Sequence, residues 1–358
     1  MSDPSAADLR WLDAAARLAM PALGTTGPAP PVGAIIADPV RLQMFGRAIT
    51  QLRGTGQAEL LAIEDAQGTA AGRTLYTTLE PPSASAAPIA EAGIFRVVVA
   101  QLDPDPALSG AGLKALAERN IETLHLPHEP SRMLIEGHAM RLAKNRPFIT
   151  LKITVSVDGM VGHNRVGEPP PMGVEAMRFI DRERAAADAV LSGIARAEVE
   201  DNDLRPHLPG LEDRSSMRVV LAGNREVNAA MRLFAEADGG PILLFTTPEH
   251  PVKLRPGISV VEIEGRRGHP DLRRVVNLRA TGGVNRLFVE AGARLAESFI
   301  AAELIDRLYV MDSAVKVGKF GVPAALLGRF NERITAARYS EVDRLVLGED
   351  KVRTFERR

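Results

Sequence analysis

Two successive α/β domains are what this sequence predicts, the second built on a mostly parallel sheet. Three observations carry the expectation: a length of 358 residues, short β-branched runs alternating with helix-length stretches, and a restart of that pattern near Asn145–Pro147. At roughly 150 residues per domain the length is two domains' worth. Strands that alternate with helices build parallel sheets covered on both faces, because each helix carries the chain back to the same edge.

The first domain, residues 1–145, opens with an amphipathic helix over Ser5–Met20. Leu9, Leu12 and Ala16 share one face, and Ser5 and Asp8 stand at capping-box spacing. Strands are expected at Ala34–Ala37, Thr74–Leu79 and Phe95–Ala100. Between and after them, Gln57–Ala66, Gly112–Arg119 and Ser131–Lys144 read as helices. Gly110-Ala111-Gly112 fits a loose dinucleotide-binding pattern, but it follows an Asp-Pro-Asp-Pro loop and reads as a helix start. His125, His128 and His138 are placed on a surface loop, since Pro127 breaks any helix between them.

The second domain, residues 146–358, begins with the β-branched run Phe148–Val155. A Gly/Pro-rich loop, Gly167–Gly173, precedes a helix over Val174–Ala186 and a strand at Asp188–Leu191. Further strands are expected at Met217–Leu221, Ile242–Thr246, Ser259–Ile263, Arg286–Glu290 and Leu304–Met311. Alternation and the turn at Gly348–Asp350 make Arg333–Phe355 an antiparallel edge, and the Arg-rich end from Arg353 to Arg358 a solvated tail.

Composition narrows function. Apolar residues make up 45% and charged residues 25%, as in ordinary globular chains that bury a core. Lys and Arg total 44 against 45 Asp and Glu, a net charge of −1, so no field is available to hold nucleic acid or an anionic membrane. No run approaches the roughly 18 apolar residues that span a bilayer. The polar, acidic start MSDPSAADLRW does not read as a targeting peptide, and a cytoplasmic location is expected. With no cysteine, thiolate nucleophiles, Fe–S clusters and sulfur-ligated zinc are excluded. All seven histidines lie at or after His125, so no metal is expected in the first third of the chain.

Several motifs occur in a fixed order. In the first domain they are Pro28-Ala29-Pro30-Pro31-Val32-Gly33, Thr77-Thr78-Leu79-Glu80-Pro81, and Ala92-Gly93-Ile94 before Arg96-Val97-Val98-Val99-Ala100. In the second they are Arg146-Pro147-Phe148, Leu151-Lys152, Ser156-Val157-Asp158-Gly159, Pro209-Gly210-Leu211 and Glu290-Ala291-Gly292. Over nearly its whole length the chain resembles the bifunctional deaminase–reductase family of riboflavin biosynthesis. That resemblance implies a cytidine-deaminase-like three-layer domain followed by a dihydrofolate-reductase-like domain, assembled as a homodimer or larger homo-oligomer.

Deamination in that family needs a zinc-activated water, held by one histidine and two cysteines, and a glutamate that shuttles protons. Here Glu59 remains, Gln57 stands in the histidine position, Pro82 in that of the first cysteine, and no second cysteine exists. Ala29 replaces an asparagine of the pyrimidine site. A catalytic zinc requires three protein ligands, so the resemblance implies a fold retained without deaminase chemistry.

For the second domain the resemblance implies NADPH-dependent reduction of a ribosyl to a ribityl group on a phosphoribosylaminopyrimidine. The sugar ring opens to an imine, and hydride adds at its carbon; no protein nucleophile or metal is required. Lys152, Asp158 and Glu290 then stand at the chemistry. Arg184 and Leu204 match substrate contacts, with His207 where the family has a phosphate-binding arginine. Thr154, Gly292, Ala293, Arg294 and Leu295 fall at the cofactor, the last four at a helix N-terminus suited to a pyrophosphate. Arg196 and Glu200 replace a threonine and an aspartate there, Ala291 replaces a glycine, and the prolines Pro169–Pro171 replace a tryptophan and a serine. These exchanges leave open a noncatalytic binding or assembly protein, or a reductase of another pyrimidine-like or pterin-like ring. Arg196 could also serve a cofactor 2′-phosphate.

Overall fold

The computed structural model describes residues 5–211, 214, 216–235, 240–324 and 338–358. The chain divides into two compact units, Met1–Arg146 and Pro147–Arg358.

The first unit holds α1 (Ala6–Ala19), β1 (Gly33–Asp38), β2 (Gln43–Ile49), α2 (Ala58–Asp65), β3 (Thr74–Thr77), α3 (Ala86–Glu91), β4 (Arg96–Val99), α4 (Ala111–Ala117), β5 (Glu122–His125) and α5 (Glu129–Lys144). Its five strands run in the order β2-β1-β3-β4-β5. β1 is antiparallel to both neighbours, whereas β3, β4 and β5 are parallel. The capping box forms: Ser5 Oγ accepts the Asp8 amide at 3.2 Å, and Asp8 Oδ2 accepts the Ser5 amide at 2.9 Å. Leu12 and Ala15 of α1 pack with Ile35, Tyr76 and Val98 on one face of the sheet. Ala58, Ala62, Ile89 and Leu116 from α2, α3 and α4 pack on the other.

One expectation fails here and one strand goes unforeseen. His125 ends β5 and His128 caps α5, with His128 buried between Ser131 Oγ at 2.9 Å and Asp13 Oδ1 at 3.1 Å. His138 lies within α5, so these residues are not a surface loop. Pro130 sits in the first turn, where its missing N–H costs nothing, and Pro127 lies before the helix rather than inside it. β2 was not legible because it is an edge strand, largely exposed, with no clean alternation.

The second unit runs β6 (Phe148–Val155), β7 (Met160–His163), α6 (Val174–Ala185), β8 (Ala189–Gly193), α7 (Ile194–Glu200), β9 (Met217–Gly223), α8 (Arg232–Ala235), β10 (Ile242–Thr246) and β11 (Ile258–Glu262). It continues through the two-residue strands β12 (Gly265–Arg266) and β13 (His269–Pro270), α9 (Leu272–Thr281), β14 (Arg286–Glu290), α10 (Ala293–Ala301) and β15 (Arg307–Asp312). The short β16 (Gly321–Pro323) and the hairpin β17 (Tyr339–Leu347) and β18 (Asp350–Arg357) complete it. Nine strands form one sheet in the order β11-β10-β9-β8-β14-β6-β15-β18-β17. All neighbours are parallel except β15–β18 and β18–β17.

Side chains alternate across this sheet. Ile149, Leu151 and Ile153 of β6 enter a core with Val275, Val276, Ala296 and Phe299 from α9 and α10. Phe288 and Tyr309 belong to the opposite core, under Phe179 and Ile180 of α6. Phe288 and Tyr309 are register partners of Thr150 and Lys152, so the even-numbered residues of β6 face this second side. The C-terminus is a paired strand rather than a solvated tail. Arg353 binds Asp312 at 2.7 Å, and Arg357 lies 3.5 Å from Glu303. Residues 333–337 of the expected edge lie outside the described residues.

Candidate active site

β14 ends level with Lys152 and β8 one residue beyond, while β6 runs on to Val155. Ser192 of β8, Glu290 of β14 and Lys152 of β6 stand in register, and the Ser192 hydroxyl donates to the Glu290 carbonyl at 3.0 Å. The carboxyl edge of parallel strands is where open α/β sheets bind ligands, because the helices that follow splay apart there. Lys152 and Glu290 are 1% and 2% exposed, with Nζ 3.9 Å from Oε2. Glu290 Oε1 accepts Arg184 Nε at 2.6 Å. Arg184, at the end of α6, spends Nη1 on Asp181 Oδ1 at 3.1 Å and on the Arg205 carbonyl at 3.0 Å. Nη2 donates to none of the described residues. The guanidinium therefore offers a ligand one edge, not the two-pronged fork its identity suggests.

Burial dominates the electrostatics. It pushes the Lys152 ammonium down to about 8, helped by Arg196 and opposed by Glu290 and Glu200. Burial alone would raise Glu290, but Arg184 and Lys152 outweigh it and hold the carboxylate at about 2. Arg184 is likewise desolvated, yet Glu290 and Asp181 keep it charged. The result is a permanent carboxylate–guanidinium pair beside an amine that titrates near neutrality.

Thr154 follows Lys152 on the same face of β6, and its buried Oγ1 has no hydrogen-bond partner. α10 starts after Gly292, whose extended backbone provides no side-chain cap, so the first-turn amides of Ala293, Arg294 and Leu295 lack intrahelical acceptors. A Cβ placed on Gly292 would meet nothing within 4 Å, so the backbone there borders open space. Arg196 and Glu200, one turn apart on α7, bind each other at 2.6 Å. Arg196 Nη1 also reaches the Val161 carbonyl of β7 at 3.4 Å.

The other expected residues serve the surrounding loops. Leu204 is buried and held at φ 61, with its amide donating to Asn202 Oδ1 at 2.8 Å. A left-handed leucine costs about 1–2 kcal/mol, so the loop is over-determined by its hydrogen bonds. Asp203, buried beneath it, accepts His207 Nε2 at 2.9 Å and the Arg205 amide at 3.0 Å. That bond raises the His207 imidazole above its usual value. Asp158 stands apart from the Lys152 cluster. Its carboxylate accepts the Ser156 hydroxyl at 2.6 Å and the amides of Val317 and Gly318 at 3.1 and 2.8 Å, which hold it at about 2. Sequence reading missed Asp181, Ser192 and Asp203. Only Asp181 left a signal, the i, i+3 spacing to Arg184.

In the first unit, Gln57, Glu59 and Pro82 do converge. Pro82 leads into a short turn, Ser83–Ser85, that delivers the Ser85 hydroxyl 2.6 Å from Gln57 Oε1 and 2.7 Å from Glu59 Oε1. One hydroxyl proton cannot serve two acceptors. Burial raises the Glu59 carboxyl. Donation from the Ser85 hydroxyl opposes that rise. Nearby, Glu80 gathers the amides of Asp103, Gly110, Gly112 and Leu113 at 2.7–3.1 Å and fixes the start of α4. Among the described residues, no group of three or more His, Asp or Glu side chains is placed to hold a metal ion.

Residues 147–348, more than half of the chain, match the family model of the RibD C-terminal domain. The chain belongs to the RibD family. RibD of Aquifex aeolicus is 29% identical over 98% of both chains, and that of Escherichia coli 28% over 85% of this chain and 86% of its own. Among solved structures, a diaminohydroxyphosphoribosylaminopyrimidine deaminase/5-amino-6-(5-phosphoribosylamino)uracil reductase from Thermotoga maritima superposes with a TM-score of 0.85 at 22% identity, covering 98% of this chain and 99% of its own. Acinetobacter baumannii RibD gives 0.80 at 23% identity with the same coverage. The α/β fold is therefore that of RibD proteins, a bifunctional deaminase–reductase family of riboflavin biosynthesis, and the second unit is its reductase-type domain.

Proposed function

We propose that this protein is an NADPH-dependent reductase of a deaminated phosphoribosylaminopyrimidine and that its deaminase unit has lost its chemistry. The observation that carries the reading is the buried Lys152–Glu290–Arg184 cluster at the carboxyl edge of the parallel sheet. Burial of three charged groups at a sheet edge is costly for packing alone but suits a site that handles charge. The unpartnered Thr154 hydroxyl and the open amides of Ala293, Arg294 and Leu295 fit a phosphate-bearing dinucleotide.

When bound, NADPH supplies the hydride. Reduction of an open-chain imine places hydride on carbon and leaves its nitrogen short of a proton. Lys152 Nζ stores that proton, in a group that gives it up near neutral pH. Glu290, ionised throughout, anchors the ammonium and takes no proton itself. Arg184 Nη2 remains for one oxygen of an anionic substrate. In the first unit, no cysteine and no histidine stands at the ligand positions, so Glu59 has no activated water to serve.

The test is NADPH oxidation by the purified protein. Oxidation is expected with the deaminated intermediate and not with its 2-amino precursor. Absence of oxidation, under conditions where Aquifex aeolicus RibD turns over, would overturn the reading; absence of NADPH binding by calorimetry would replace it with a noncatalytic role.

A further inference from the structure

Two carboxylates hold one exposed segment. Residues 313–317 follow β15 and belong to no helix or strand, and Ala314, Val315 and Lys316 are exposed. Asp350, buried at the start of β18, accepts the Ala314 amide on Oδ1 at 2.9 Å and the Gly173 amide on Oδ2 at 2.6 Å. Asp158 accepts the Val317 amide on Oδ1 at 3.1 Å and the Gly318 amide on Oδ2 at 2.8 Å, and the Ser156 hydroxyl orients it at 2.6 Å. Between these anchors the Val157 amide donates to the Val315 carbonyl at 3.2 Å. Hydrogen bonds from amides to an ionised carboxylate are among the stronger ones in proteins.

Each anchor also holds a second loop. Asp158 lies on the loop that leaves β6, and Gly173 ends the loop that enters α6. The strap of residues 313–318 therefore ties both loops to one another. It begins beside the candidate site: Thr154, whose buried hydroxyl has no partner among the described residues, is in register with Met311, two residues before Ser313. Farther along, the Val161 carbonyl faces Arg196 Nη1 of α7 at 3.4 Å. The loop out of β6 thus has a partner on each side of β14, the strand that carries Glu290. Gly159 and Gly318 stand at φ 75 and 78, and a Cβ on either would meet nothing within 4 Å, so hydrogen bonds rather than packing hold these turns. We propose that Asp158 and Asp350 are positioning residues that act together through the strap, fixing the loops that wall the dinucleotide site.

The physical reason is local stability. An exposed segment with few apolar contacts opens at low free-energy cost. Loss of one anchor raises the open population, and a ligand that needs the ordered loops then binds more weakly in proportion to the fraction left ordered. Asp158 stands apart from the Lys152 cluster, and Asp350 spends its two oxygens on amides of different loops. The inference rests on the reductase reading for the ligand, NADPH; the coupling between the two anchors does not depend on it.

The measurements are hydrogen exchange and NADPH calorimetry on the full chain, with Asp158→Asn and Asp350→Asn. Asparagine keeps one acceptor oxygen and turns the other into a donor, so each variant releases an amide. Asp158→Asn is expected to accelerate exchange at Ala314 and Gly173, amides that Asp158 does not bind, by ~10-fold or more. Asp350→Asn should do the same at Val317 and Gly318. Each variant should raise the Kd for NADPH about 5-fold or more. At saturating NADPH, kcat should stay within about twofold, with its alkaline limb unmoved. Because both anchors serve one strap, the double variant should raise Kd by less than the product of the single effects. Should Asp350→Asn fail to fold, exchange at Ala314 and Gly173 and the Kd of Asp158→Asn still decide. Acceleration confined to the amides of the substituted carboxylate, or an unchanged Kd, would overturn the proposal. An unmodified protein that binds no NADPH would sink the reductase reading, while exchange still decides whether the anchors act together.

Discussion

Lys152 and Glu290 face each other in register across adjacent parallel strands, Nζ 3.9 Å from Oε2, and both are almost fully buried. Neither is neutralised by the other alone, because Arg184 sits closer to the same carboxylate, at 2.6 Å. The amine is left as the group whose charge is negotiable.

Activity should therefore fall as pH rises through about 8, where Lys152 loses its proton, and show no acid limb from Glu290, which stays ionised down to about 2. Lys152→Met should lower kcat by at least ~100-fold, the range for loss of a general acid. A pH profile of kcat for both proteins checks this.

Stability should respond with a definite sign. Lys152 holds its proton less tightly when folded, at about 8, than at its ordinary 10.5. The folded state is penalised below about 8, and the penalty disappears as pH rises from 8 towards 10.5, about 3 kcal/mol in all. The difference between the unmodified protein and Lys152→Met in urea unfolding should trace that rise. A flat difference would show that the amine is not desolvated.

Removing one partner of the Arg184–Glu290 pair should cost far more than removing both. Arg184→Ala strands a buried carboxylate, and a loss of about 3–5 kcal/mol is expected from unfolding curves. The double variant Arg184→Met/Glu290→Met should lose less than the sum of its single changes.

In the first unit, Glu59→Gln should be nearly neutral for stability, because an amide oxygen can accept the Ser85 hydroxyl as the carboxylate oxygen does. Ser85→Ala leaves two buried acceptors without their donor, at a cost of about 1–3 kcal/mol. Metal analysis of the purified protein should find zinc well below one equivalent. Stoichiometric zinc would contradict the loss of deaminase chemistry.

Asp158 should matter for order more than for proton transfer. Hydrogen exchange at the Val317 and Gly318 amides is expected to accelerate in Asp158→Ala, with the alkaline limb of activity unmoved. The loop contact that Asp158 makes should persist in acid until pH falls through about 2, since its carboxylate is favoured above that point.

The sequence by itself determined the alternation of strands and helices, the restart near residue 146, the absence of cysteine, and the places of Lys152 within a strand and Glu290 at the end of another. These are local properties: periodicity, residue identity and motif order are written along the chain. It did not show β2 or the buried setting of His128, which depend on which segments come to lie beside them. Nor did it show that Arg184 spends most of its donors on Glu290, Asp181 and Arg205, or that Asp158 is taken up by a loop some 160 residues away. Only the tertiary structure decided those, because desolvation and hydrogen-bond competition act between groups that are neighbours in space and strangers in sequence.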